Sequence, residues 1–174
     1  TSIQDLVTLA KQQPGKLNVA IPGATGQLAG DALWSQLQLK MTNIHYKGSA
    51  PAELAVVSGE ADLSLLTPLA TLTHLQSGRL KVYGVTSTQR SPVLPDVPTL
   101  AEQGVTGFEI QFWNGLFAPK GMPKPALDKL VAALQSAVQA PAFRARLADL
   151  GAEPVPLAKA TPESLRALLK SEID

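Results

Sequence analysis

Apolar residues recur at three- and four-residue steps at Ile3, Leu6, Val7 and Ala10, which predicts an amphipathic helix. Ser2 stands at its N-cap and Asp5 at N3, a near capping box, and Pro14-Gly15 stops it. Leu17 to Ile21 is a short apolar run that reads as a strand, and it enters the glycine-punctuated turn Pro22-Gly23-Ala24-Thr25-Gly26-Gln27. The helix that follows runs through about Lys40, with Leu28, Ala32, Leu33 and Leu37 predicted on its inner face. Asn43 to Tyr46 predicts a second strand, and Lys47-Gly48-Ser49-Ala50-Pro51 turns it into a helix ending at Gly59. Ala61 to Leu66 predicts a third strand, continuously apolar at its end as expected where both faces are covered. Thr67-Pro68 starts a helix closed by Gly78, and Leu80 to Val85 predicts a fourth strand. Strands alternating with helices of about ten residues predict an α/β layer on a mostly parallel sheet.

The pattern then changes. Pro92, Pro95 and Pro98 forbid a regular element between Ser91 and Pro98 and suit a stiff surface segment. Thr99-Leu100-Ala101-Glu102 has capping-box spacing and predicts a short helix to Gly104, and Phe108 to Phe117 alternates enough to predict a strand containing Trp113. Beyond Pro119, Gly121, Pro123 and Pro125, a long amphipathic helix carries Leu127, Leu130, Val131, Leu134 and Val138. Ala142 to Leu150 and Pro162 to Ile173 are further helices, the last with Thr161 as N-cap and Pro162 at N1. The first two thirds alternate and the last third is helical, which sets a lobe boundary near Phe112 to Pro119. No repeat with a period of 20 to 50 residues and no low-complexity tract stands out.

Composition narrows the classes. At 174 residues, 45% hydrophobic and 17% charged, the chain can bury a substantial core as one domain or two small lobes. Fifteen Lys plus Arg against fourteen Asp plus Glu, without long runs of either sign, give no reason to expect nucleic acid or an acidic membrane surface as partner. Cysteine is absent, so disulfides, cysteine metal sites and thiol nucleophiles are excluded. No apolar run approaches the ~20 residues that span a bilayer. The start at Thr1, without a charged and apolar leader, implies that any signal peptide has been removed or lies outside this sequence.

The Pro22 to Gln27 loop is the most informative candidate site. A glycine-containing turn between strand and helix points free backbone N–H groups outward, and with the helix macrodipole these favour a carboxylate or phosphate; the Thr25 hydroxyl adds a donor. The plainer reading is that Gly23 and Gly26 only permit a tight connection. The loop is neither GxGxxG nor GxxxxGK[ST], which disfavours dinucleotide and P-loop sites. Thr67 ends the third strand, where open α/β sheets place ligand contacts, and it also suits an ordinary N-cap. His45 and His74 lack metal-ligand spacing, Ser49 and Ser64 lack a G-x-S-x-G context, and no acidic pair is marked out, so neither a metal, a cofactor nor an enzyme is expected. Trp113 with Phe112 and Phe117 either walls a cleft or fills the core, and Lys47 either meets an anion or is a solvated turn lysine.

Several stretches together resemble one family. They are Lys16-Leu17-Asn18, His45-Tyr46-Lys47-Gly48-Ser49-Ala50-Pro51, Gly78-Arg79-Leu80, Val85-Thr86-Ser87, Trp113-Asn114-Gly115-Leu116-Phe117-Ala118-Pro119 and Leu150-Gly151-Ala152-Glu153-Pro154. The most specific is Arg90-Ser91-Pro92-Val93-Leu94-Pro95-Asp96-Val97-Pro98-Thr99. In this order they look like the Bug family, the extracytoplasmic receptors of tripartite tricarboxylate transporters, and the resemblance covers essentially the whole chain.

That resemblance implies an α/β, type II periplasmic-binding-protein fold whose two lobes close on a small organic carboxylate in the periplasm, followed by delivery to a membrane permease. It implies that residues 1–112 form lobe two and 113–174 the returning part of lobe one, with roughly the first third of the family's length outside this sequence. Exposed apolar surface on the Trp113 to Ala118 strand and the long helix would then favour a homodimer. The family's anion loop falls on Gly23, Ala24, Thr25, Gly26 and Gln27, and Thr67 joins them as ligand-binding. The chain departs from the family's S-G-x-G-S-x-x-H pattern there: Pro22 stands in the serine region and no histidine precedes Leu28, which reduces hydroxyl contacts. Leu66 stands where the family often has Asp or Asn, which implies a ligand without an ammonium group. The alternatives are the effector-binding domain of a LysR-type transcription regulator, an enzyme on the same scaffold and a Bug-like ligand sensor.

Overall fold

A computed structural model describes residues 2–173, which fall into two compact units that divide between Gln111 and Phe112. Each is built on different physics.

The first unit is α/β. Helix α1 (Ile3–Gln12) starts in a complete capping box: the Ser2 hydroxyl accepts from the Asp5 N–H, and the Asp5 carboxylate accepts from the Ser2 N–H. Strands β1 (Asn18–Ile21), β2 (Thr42–His45) and β3 (Leu63–Ser64) form a parallel sheet in the order β2-β1-β3, with Asn18 opposite Thr42 and Val19 opposite Leu63. Between them run α2 (Ala24–Gln36) and α3 (Ser49–Ser58), and α4 (Pro68–Gln76) follows β3.

Central strand β1 explains the layering. Side chains alternate across a strand, so Val19 and Ile21 enter one cluster with Ile3, Leu6, Leu33, Trp34, Leu100 and Phe108. Ala20 faces the other way, into a smaller cluster with Ala52, Ala55 and Ala61. Val19, Ala20 and Ile21 are all buried, because helices cover both faces. Each fully buried valine or isoleucine contributes about 1.5–3 kcal/mol. The second cluster stabilises mainly by letting α3 approach closely, since its buried members are alanines.

Several predicted elements differ. The inner face of α2 is not Leu28, Ala32, Leu33 and Leu37: it buries Gly26, Ala29, Gly30, Leu33 and Trp34, while Leu28 and Ala32 are exposed. Small residues let the helix lie close to β1, and the phase follows from that approach. Leu80 to Val85 joins no ladder; Val85 makes only an isolated bridge, to Thr99. Its hydrogen bonds go to the proline-rich turn and beyond: Val85 N–H donates to Pro98 O, Leu100 N–H to Val85 O and the Gln103 amide to Tyr83 O. The third strand is ladder-paired only at Leu63–Ser64. Thr99 to Gly104 makes a reciprocal Thr99–Glu102 capping box at 2.7 and 3.0 Å, yet continues as turns rather than a helix.

The second unit contains α5 (Lys124–Gln139), α6 (Pro141–Asp149), a single 3-10 turn (Leu157–Lys159) and α7 (Pro162–Ile173). The Thr161 hydroxyl accepts from the Ser164 N–H at 3.2 Å, as its N-cap position requires. The Gln135 amide donates to Ala160 O at 3.1 Å and ties α5 to the start of α7. Residues 112–117, predicted as part of a strand, belong to no helix or sheet among the described residues. Only Val138 and Ala160 are buried among this unit's described hydrophobic residues.

Candidate functional site

The sheet order creates a switch in connectivity between β1 and β3. β1 leads into α2, which packs on the Val19 and Ile21 face, whereas α3 covers the Ala20 face and α4 packs with α3. Adjacent strands β1 and β3 therefore hand over to helices grouped with opposite faces. Such a switch in connectivity opens a crevice beyond the carboxyl ends of the strands. The loops that lead from β1 into α2 and from β3 into α4 leave the sheet at this edge, so Gly23 to Gln27 and Thr67 belong to the same end of the unit.

Gly23 is the N-cap of α2, with extended ψ and a φ of 141° that glycine alone adopts freely, and no side chain caps this helix. The first-turn amides of Ala24, Thr25 and Gly26 have no hydrogen-bond partner among the described residues, as helix geometry requires of uncapped N-termini. Ala24 and Thr25 are exposed, whereas Gly26 is buried beneath the Pro22 ring. Gln27 departs from its expected part as a backbone donor, because its N–H donates to Gly23 O at 3.0 Å within the helix. Its side chain remains at the surface, with Oε1 3.1 Å from His45 Nε2 at the end of β2.

Thr67 is the N-cap of α4, but its hydroxyl makes no capping bond; Pro68 at N1 needs none. α3 likewise begins at Gly48 without a side-chain cap. Sequence reasoning missed the His45–Gln27 contact, since the two lie eighteen residues apart and become neighbours only when β2 pairs with β1. Lys47 is exposed beside Gly48. The Tyr46 hydroxyl donates to Glu60 at 2.7 Å, and this bond raises the phenol above its ordinary range. Among the described residues no group of three His, Asp or Glu could hold a metal ion, and no helix is long and apolar enough to cross a membrane.

Known proteins resemble this chain over nearly its whole length. A UPF0065 protein from the TAR-I ttuE-ttuC′ intergenic region of Agrobacterium vitis is 37% identical over 98% of this chain and 50% of its own length. BugT of Bordetella pertussis is 30% identical over 99% of the chain and 52% of its own length. The chain thus spans about half the length of these relatives, although a UPF0065 protein of Pseudomonas knackmussii, 32% identical, is matched over 89% of its length.

Among solved structures, the periplasmic binding protein BugD superposes with a TM-score of 0.91 at 39% identity, over 99% of this chain and 58% of BugD. MatC from Rhodopseudomonas palustris, solved with bound malate, gives 0.90 at 32% identity and is covered over 60%. R. palustris Rpa4515, solved with adipate, gives 0.92 at 29% identity and is covered over 57%. The α/β fold expected from the sequence is therefore that of periplasmic binding proteins, and the relatives are binding proteins rather than enzymes. Residues 1–165 match the tripartite tricarboxylate transporter family receptors, and the chain belongs to that family.

Proposed function

We propose that this chain supplies one side of a periplasmic carboxylate-binding site and that the protein it represents delivers its ligand to a membrane permease. The observation that carries the reading is the row of unbonded N–H groups on Ala24, Thr25 and Gly26 at the switch point between β1 and β3. A carboxylate seated there accepts from these amides and from the Thr25 and Thr67 hydroxyls, neither of which is spent on a cap. The charge must be matched, because an unpaired buried carboxylate costs several kcal/mol. Relatives solved with malate and adipate support small dicarboxylates as the ligand class. Half-buried Leu66, packed against the alanine cluster, offers no partner for an ammonium group, so plain carboxylates are favoured over amino acids. Residues 1–112 act as lobe two and 113–174 as the returning part of lobe one. Pairing of two copies of the chain belongs to the same proposal.

The test is a thermal-shift screen against mono-, di- and tricarboxylates and the corresponding amino acids. Gly26→Pro is a poor control, since any Cβ at position 26 meets the Pro22 ring at 2.7 Å. Ala24→Pro is clean: proline is tolerated at N1, and it deletes one unbonded donor without removing a helix bond. The expected result is a stabilising dicarboxylate whose effect falls at least severalfold in Ala24→Pro. Amino acids outcompeting plain carboxylates, or full retention of binding in Ala24→Pro, would reject the amide cradle.

A further inference from the structure

We propose that His45 is a positioning residue of the carboxylate site: it holds the Gln27 carboxamide by its oxygen and so turns the amide NH2 toward the anion. His45 Nε2 stands 3.1 Å from Gln27 Oε1. The Gln27 side-chain nitrogen has no hydrogen-bond partner among the described residues. Glutamines that tie this unit together are held the opposite way. Gln36 and Gln103 spend their NH2 on the carbonyls of Thr106 and Tyr83, at 2.7 and 2.8 Å.

Backbone geometry brings the pair to the unbonded amides. Parallel pairing puts His45 opposite Ile21, the last residue of β1, and the Tyr46 N–H donates to Ile21 O at 2.9 Å. The end of β2 is thereby pinned beside the start of the Pro22–Gly23 turn. Gln27 is the fourth residue of α2, and helical side chains lean toward their own N-terminus, over the preceding turn. Its carboxamide therefore leans back toward Gly23 and Ala24, where the helix begins. Gly23 leaves that approach open, since a Cβ built there meets nothing within 4 Å. Gln27 is half-buried and His45 exposed, so the pair borders the site rather than filling the core.

An anion discriminates between the two ends of a carboxamide. The NH2 donates, whereas the oxygen only accepts and opposes a carboxylate. With a proton on Nε2, His45 donates to Gln27 Oε1 and leaves the NH2 for the ligand. With the proton on Nδ1 alone, Nε2 accepts from the NH2, and the Gln27 oxygen faces the ligand instead. His45 thus sets whether the Gln27 side chain attracts the carboxylate. The side chain takes a part that the Gln27 backbone cannot play, because its N–H is spent on Gly23 O. This inference rests on the carboxylate reading for the nature of the ligand.

NMR spectroscopy of the full chain tests it in two steps. Without ligand, proton–nitrogen correlation spectra of the His45 ring should show a proton on Nε2. The Gln27 side-chain amide, assigned by its loss in Gln27→Glu, should move in His45→Ala. An unprotonated Nε2, or a Gln27 amide indifferent to His45→Ala, overturns the proposal whether or not any acid binds. Malate, the ligand in the MatC structure, is then titrated. The Ala24 and Thr25 backbone amides report the cradle, and the Gln27 NH2 reports the side-chain donor; all should shift along one curve. His45→Ala should weaken malate roughly tenfold, about the value of one hydrogen bond to a charged group, and silence the Gln27 shift. His45→Gln, which returns an N–H near the place of Nε2–H, should recover most of the affinity, and neither variant should change the ligand-free urea midpoint. Shifts at Ala24 and Thr25 with Gln27 still, or equal affinity in His45→Ala, reject the positioning role and leave the amide cradle standing. A shift at Gln27 alone rejects the cradle and keeps the positioning role. Shifts at none of the three reject both.

Discussion

The ring of Pro22 occupies the space that a side chain at position 26 would need: a Cβ built on Gly26 falls 2.7 Å from Pro22 Cδ and 2.8 Å from Cγ. Glycine here serves packing between the end of β1 and the first turn of α2. Gly26→Ala should lose about 1–3 kcal/mol, because the ring cannot swing aside like a long side chain. Pro22→Ala should recover most of that loss in the double variant, measured by urea melts as a double-mutant cycle. Strict additivity of the two changes would show that the ring is not the obstacle.

Gly84 should behave similarly against a different neighbour. A Cβ there meets the Gln103 amide at 2.7 Å, Leu100 Cδ2 at 2.9 Å and the Pro98 carbonyl at 3.2 Å. Gln103 donates to Tyr83 O at 2.8 Å, so moving it breaks a bond that holds the segment around Gly84 down. Gly84→Ala should lower the urea midpoint by the equivalent of about 1–3 kcal/mol, with hydrogen exchange rising first around residues 83–86 and 98–103. Unchanged protection there would contradict the close approach.

Acid should loosen the proline-rich turn. Arg90 Nε donates to both Glu102 oxygens at 3.1 and 3.0 Å, and Glu102 also accepts from the Thr99 N–H. The bond from Arg90 first, and that from Thr99 next, hold Glu102 below its ordinary carboxylate range. A depressed acid contributes stability that is present above its unfolded value and is lost as pH falls through its folded value. Stability should therefore fall below about pH 4.5, and Glu102→Gln should remove that part of the slope while lowering stability at neutral pH. Chemical denaturation across this range measures both. An unchanged slope in the variant would assign acid sensitivity elsewhere.

The cap on α1 gives a local control. Ser2→Ala removes the hydroxyl that accepts the Asp5 N–H and should cost about 1 kcal/mol, read as a lower urea midpoint with an unchanged slope. A neutral result would mean that the buried Ile3, Leu6 and Ala10 face alone decides whether the helix forms.

The hydrophobic pattern predicts Leu28, Ala32, Leu33 and Leu37 inward on α2, yet Gly26, Ala29 and Gly30 lie on its buried face, with Ile21 Cδ1 only 3.7 Å from a Cβ built at Gly30. Periodicity reveals that a helix has an inner face, but small residues carry little hydropathic signal even when they set the distance of approach. Phe108 to Phe117 has the composition of a strand, but a ladder needs a second strand. At the candidate site, the glycine turn and its uncapped amides were legible, whereas the bonding of the Gln27 amide and the His45 contact were not.

What the sequence determined by itself is whatever three or four neighbouring residues can settle. The Ser2–Asp5 and Thr99–Glu102 boxes, the start of α4 at Pro68 and the strand-to-helix turn at Gly23 all follow from hydrogen bonds and dihedral limits within one turn. The tertiary structure alone decided which predicted strands joined the ladder, which side of α2 faces inward, and that the β1 and β3 loops leave the sheet at the same end. Those outcomes depend on the order β2-β1-β3 and on packing between residues far apart in the chain, an energy that no local window contains.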